Sequence, residues 1–133
     1  MAGETDLAKL LATMSAVLFP QTYVYCTVAH RDAARYQQLE PLATYREDEG
    51  LTLVLSRSAA DEAGLDYGPL LRRITLNVHS ALEAVGLTAA VSAALTREGI
   101  SANVIAAYYH DHIFVPEADA ERALAALRAL TIA

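Results

Sequence analysis

The chain has 133 residues, 54% of them hydrophobic and 20% charged, with four prolines and six glycines; this is ample material for a packed core and excludes a disordered chain. Sixteen acidic against ten basic side chains leave a net charge of −6, so there is no cationic surface to replace phosphate counterions and nucleic acid is excluded as a leading partner. A single cysteine, Cys26, excludes an intrachain disulfide framework and a cysteine-built zinc site; Glu4 and Asp6 stand where a signal peptide needs positive charge, and no apolar run approaches the ~20 residues that span a bilayer, so a cytoplasmic protein without a membrane partner is expected.

In chain order, Thr5 or Asp6 can cap an opening helix that aligns Leu7, Leu10, Leu11 and Met14 on one face, a pattern broken at Pro20. Tyr23 to Val28 reads as a strand by its β-branched and aromatic content, and the polar stretch from Arg31 to Leu39 as a helix of about two turns that ends before Pro41. Ala43 to Arg46 and Leu51 to Leu55 flank an acidic loop ending in Gly50, which suits the left-handed residue of a β-hairpin. Ser58 to Glu62 opens a short helix stopped by Gly64 and by Gly68 with Pro69.

Leu71 to Val78 alternates cleanly, with Ile74, Leu76 and Val78 on one face and Arg73, Thr75 and Asn77 on the other. Ser80 and Glu83 fit a capping box opening the next helix, whose stripe of Leu87, Val91, Ala94 and Leu95 ends at Gly99, a left-handed C′ residue. Asn103 to Tyr109 and His112 to Val115 read as two more strands. Pro116 to Asp119 starts a last helix whose buried face is Ala120, Leu124, Leu127 and Leu130.

Leu53-Val54-Leu55 ahead of an acidic helix start recurs sixty positions later as Ile113-Phe114-Val115, and the order of elements recurs with it. The expected fold class is therefore α+β: two ferredoxin-like βαββαβ units with antiparallel sheets and helices on one face, residues 1–70 with the leading helix forming one and 71–133 the other.

Three segments carry a resemblance to a known family: RITLNVHSALEAVGL from Arg73 to Leu87, GISANV from Gly99 to Val104, and YYHDHIFVP from Tyr108 to Pro116. Together they cover most of residues 73–127, and in their spacing they resemble the ACT-domain family, specifically small bacterial tandem ACT-like proteins of unassigned activity. Residues 1–68 match in element order alone. The resemblance implies a regulatory module that binds an amino acid or similar zwitterion beside the loop after strand 71–78 and the first turn of the next helix. It implies ligand contacts from Asn77, His79, Ser80, Leu82, Glu83, Gly86, Asn103 and Asp111, with free helix N–H groups for a carboxylate and Glu83 and Asp111 for an amino group. Gly86 would permit close backbone approach. The loop from Asn77 to Ser80 lacks the glycines that many effector-binding ACT domains carry there, which narrows the pocket.

Plainer readings stand beside these. Glu83 is accounted for as the third helical residue of a capping box, and Asp111 as the end of a turn. His110 and His112 have the spacing of an H-x-H metal pair, which would make a metal-dependent enzyme, yet a third ligand would have to come from His79 or a carboxylate elsewhere. Cys26 lies in an apolar strand, where a cysteine is a small core residue rather than a nucleophile. Tyr23, Tyr25, Tyr108 and Tyr109 are expected to cover a sheet face at a subunit contact. The sequence thus points to a homodimeric binding or regulatory module with no catalytic residues, no cofactor and no resident metal; the rival reading is a structural or protein-interaction module without a ligand.

Overall fold

The computed structural model describes residues 6–78 and 85–131. Helix α1 (Leu7–Thr13) is capped by Asp6, whose carboxylate accepts the Lys9 N–H at 3.2 Å. It buries Leu10 and leads into β1 (Ser15–Val28). The strand thus begins well before Tyr23 and runs through Pro20. The pairing of β1 with β3 (Leu51–Ser56) starts only at Tyr23, opposite Ser56, so the missing N–H of Pro20 interrupts no bond of that ladder.

A helix of tight 3₁₀ winding, His30–Leu39, follows, without a buried residue or a side-chain cap, and ends at Glu40 in the left-handed region at φ 51°. Strand β2 (Ala43–Arg46) pairs with β3, and α2 (Arg57–Glu62) is capped by Ser56, two residues ahead of the expected start, through a 3.2 Å bond from the Ala59 N–H. Strand β4 (Leu71–Asn77), helix α3 (Leu87–Arg97), strands β5 (Asn103–Ala106) and β6 (Asp111–Pro116), a 3₁₀ turn at Glu117–Asp119 and helix α4 (Ala120–Leu130) complete the chain.

Two compact units result. One is residues 21–71; the other joins residues 1–20 to 72–133. In the smaller unit the strand order is β2-β3-β1, in the larger β1-β4-β6-β5. The larger unit explains why the first twenty residues belong to it: β4, α3, β5, β6 and α4 supply three strands and two helices, and β1 takes the fourth strand position beside β4. Arg72 Nε donates to the Phe19 carbonyl at 2.8 Å, and the Arg73 guanidinium lies 4.0 Å over the Phe19 ring. Leu10, Met14 and Ala16 accordingly share a core with Ile74, Leu76, Val78, Leu87, Val91, Leu95, Ile113, Val115 and the apolar face of α4. The smaller unit has its own core of Val24, Cys26, Val28, Leu53, Leu55 and Ala60.

The internal repeat is written in the pairing. Ala43 pairs with Val54 and Arg46 with Leu51; sixty residues on, Asn103 pairs with Phe114 and Ala106 with Asp111. Strands β3 and β6 also share one burial pattern, three buried residues bracketed by partly exposed ones.

Two expectations change at the hairpins. Gly50 is not left-handed; its requirement is space, since a Cβ there would sit 2.8 Å from the Val28 carbonyl oxygen. Strand β5 stops at Ala106 because the Ala107 N–H bonds the His110 carbonyl at 3.0 Å and closes a turn. Tyr108 and Tyr109 therefore stand on that turn, edge to face at 4.9 Å and 73% and 69% exposed, rather than covering a sheet face. Gly50→Ala is expected to cost about 1–3 kcal/mol, because the obstructing atom is backbone, whereas Gly68→Ala, with nothing within 4 Å of the added carbon, should stay within about 0.5 kcal/mol; urea unfolding of the two variants checks both.

Candidate functional site

Helix α3 starts at Leu87, with Gly86 as its N-cap at φ 101°; the Ala90 N–H bonds the Gly86 carbonyl at 2.9 Å. The capping box expected at Ser80 and Glu83 lies outside the described residues, as do His79 and Leu82. Gly86 is needed for its positive φ and for a close neighbour within the protein: a Cβ there would meet Leu7 Cδ2 at 3.1 Å. The space over this glycine belongs to α1.

The other expected contacts are divided between the two faces of the sheet. Asp111 pairs with Ala106 at the start of β6 and shares its face with Ile113 and Val115, the residues that pack under the helices. Asn103 pairs with Phe114, so it lies on the opposite face and three register steps away, about 10 Å along the hairpin. Asn77 is exposed and alternates with Leu76 and Val78 of the core, which places it on the Asn103 side. Asp111 and Asn77 nonetheless share one end of the sheet. Thr75 Oγ1 lies 2.9 Å from His112 Nδ1, bringing the C-terminal part of β4 beside the first residues of β6.

That contact is a feature the sequence reading missed. Thr75 is the one buried polar residue among the described residues, at 5% exposure, and His112 satisfies it from the neighbouring strand. The available signal was the alternation of β4, which puts Thr75 on the face of Arg73 and Asn77. His110 stands in the turn, its ring 6.3 Å from that of His112 and nearly perpendicular to it, and its Nδ1 is buried without a partner among the described residues. No group of three or more His, Cys, Asp or Glu side chains able to hold a metal occurs among the described residues, and His112 Nδ1 is already engaged by Thr75.

Electrostatics separate these groups. Burial raises the Asp111 carboxyl above its ordinary value, with the nearby His110 charge acting in the opposite sense. Burial lowers His112 below the ordinary histidine value of 6.5, helped by the charges of Arg73 and His110. Cys26 sits in the core of the smaller unit, and burial followed by the Asp66 charge pushes its thiol up, the reverse of what a nucleophile requires.

Family models place the chain. An ACT-domain model matches residues 2–72, and a second ACT-domain model matches residues 72–129. The chain belongs to the ACT-domain family. ACT domains are typically ligand-binding regulatory modules, and the antiparallel α+β units described above are of their ferredoxin-like kind. A Vibrio cholerae protein of unknown function, described as a possible transport protein, has 54% identity and a TM-score of 0.86 to this ACT protein over 94% of this chain and 95% of that one. An Agrobacterium tumefaciens protein matches at 16% identity and TM-score 0.66 over 89% of each chain. The ligand-free regulatory subunit of aspartate kinase from Thermus thermophilus matches at 11% and 0.62 over 90% of this chain and 98% of that one. These last two similarities show the fold. Comparison with curated proteins gives no match. Among the described residues of the ACT units no helix is long and apolar enough to cross a membrane.

The histidine provides a check with a definite sign. Its folded pKa lies below 6.5, so its contribution to stability is full above pH 6.5 and falls away as pH drops from 6.5 to the folded value, where the unfolded chain alone takes up the proton. Stability measured by urea unfolding should decline across that window in the wild type, and His112→Gln should flatten the decline. An NMR titration of the His112 ring is expected to give a midpoint under 6.5.

Proposed function

We propose that this protein is a small-molecule binding regulatory module without catalytic activity, acting as a cytoplasmic homodimer, and that its ligand is a free amino acid or a similar zwitterion. The observation that carries the reading is the pair of ACT matches laid end to end over residues 2–129, since regulation through small ligands is what such units typically do. Strand edges support the dimer: among the described residues β2 and β5 each have a hydrogen-bonded strand on one side only, and unpaired edges are covered by association.

Within the larger unit the proposed ligand end is where β4 finishes and β6 begins. Asp111 is half-buried there, and burial already disfavours its ionised form. A ligand ammonium placed against it would restore the charged carboxylate with a partner. The proposal keeps Asn77, which shares this end on the face opposite Asp111, and rests least on Asn103, about 10 Å further along the hairpin from Asp111; the contacts that the resemblance implies from His79, Ser80, Leu82 and Glu83 lie outside the described residues.

The test is a thermal-shift screen of the twenty amino acids. One present at about 100 times its dissociation constant should add ~2.7 kcal/mol, and light scattering should report two chains per particle. Asp111→Ala is expected to remove the response of this end while leaving unliganded stability unchanged or slightly higher at pH 7, because it deletes a carboxylate that burial disfavours. A screen with no shift would favour the rival reading, an interaction module without a ligand.

A further inference from the structure

The smaller unit contains a hollow of about 340 Å³ between the 3₁₀ helix and α2, lined by Arg35, Tyr36, Gln38, Leu39, Glu62 and Ala63. It is formed within residues 21–71, and none of its lining residues is among those assigned to the ligand end above. Its floor is the flank of a core, because Tyr36 and Leu39 pack against the cluster around Val24, Leu53 and Leu55. Two opposite charges line it. The Arg35 guanidinium is held over the Tyr36 ring, 5.4 Å from its centroid, and neither Arg35 nor Glu62 forms a salt bridge with another described residue.

Glu62 is badly placed for stability. It is the last residue of α2, at the negative end of the helix dipole, where a cation rather than a carboxylate is favoured. A residue that breaks a local rule with no compensating partner marks a place where something else is selected.

The repeat supplies a comparison inside the same molecule. The sixty-residue offset that relates β2 to β5 and β3 to β6 carries Glu62 onto Arg122 and Gln38 onto Glu98. In the larger unit Arg122 closes this corner: it donates to the Glu98 carbonyl and, at 2.9 Å, to Asp119 Oδ1. The equivalent corner of the smaller unit has a carboxylate in place of that arginine, and it stands open.

We propose that this hollow binds a free amino acid with an apolar or aromatic side chain. The ligand carboxylate pairs with Arg35, its ammonium is held by Glu62 and the end of α2, and its side chain lies against Tyr36, Leu39 and Ala63. A volume of about 340 Å³ falls within the range of small-molecule sites, and a ligand carrying both charges neutralises both walls at once. The site goes beyond the ligand end built around Asp111, and the two are separable by mutation.

The experiment is calorimetric titration of the full chain with L-leucine and L-phenylalanine, beside their N-acetyl and amide derivatives, which lack the ammonium and the carboxylate respectively. Binding of the free amino acids is expected, weakened about tenfold or more by either derivative and by Arg35→Gln or Glu62→Gln, both at exposed positions. Glu62→Arg, which copies the residue of the larger unit, should close the corner and abolish binding while urea unfolding shows the fold intact. Derivatives that bind as well as the parents, or unchanged binding in Arg35→Gln and Glu62→Gln, overturn the inference. If that residual binding disappears in Asp111→Ala, the regulatory reading stands and only the hollow is lost; if neither leucine nor phenylalanine binds while another amino acid stabilises the protein through Asp111, the outcome is the same.

Discussion

The three consecutive buried residues at the middle of β3 and of β6 hold the rest in place. In each, the first and third side chains join the helix-side core while the central one, Val54 or Phe114, is buried on the opposite face. Each fully buried aliphatic or aromatic side chain contributes about 1.5–3 kcal/mol, and a shift of one residue in pairing would turn every such side chain to the wrong face. Register is therefore tightly fixed, and so is the start of the helix that follows. Ala60 and Ala120, sixty residues apart and both buried, are small enough to let α2 and α4 approach their strands closely.

On this shared frame the two units differ at their ends, and there the functional argument lies. The larger unit has a regular α3, a long α4, and a corner tied by Arg122. The smaller has a 3₁₀ helix with no buried residue, an α2 of six residues, and a corner left open between opposite charges. At the far end of the larger unit a half-buried carboxylate and a neutral-favouring histidine occupy adjacent positions on opposite faces of β6. A frame that repeats while its ends diverge suits a binding module: packing sets the fold, and the divergent ends are where the proposed ligand contacts lie.

Much of the frame was legible because it rests on local rules. The helical stripe of Leu87, Val91, Ala94 and Leu95, the left-handed Gly99, the hairpin strands and the sixty-residue echo all follow from apolar spacing and turn chemistry, and all occur. Less legible was whatever depends on distant neighbours. Pro20 looked like a break but sits in a strand whose ladder with β3 begins beyond it. Gly50 looked like a turn glycine but makes room for the Val28 carbonyl, and Gly86 makes room for Leu7, a residue nearly eighty positions away. The candidate site was legible in part: Asn77 and Asp111 do reach one end of the sheet, while strand alternation separates Asn103 from Asp111. The Arg35 and Glu62 hollow has no motif, since its significance comes from the contrast with Arg122 in the folded repeat.

The central claim is that the chain recognises a small zwitterion through groups at the ends of its ACT units. Backbone amide mapping by two-dimensional NMR, with a mixture of free amino acids added to the labelled full chain, tests it most directly. The account predicts shifts confined to amides near residues 76–83 and 110–112 and near 35–39 and 62–63, with the β3 and β6 centres unmoved. A spectrum in which no amide moves, or in which the changes fall away from both clusters, would contradict it.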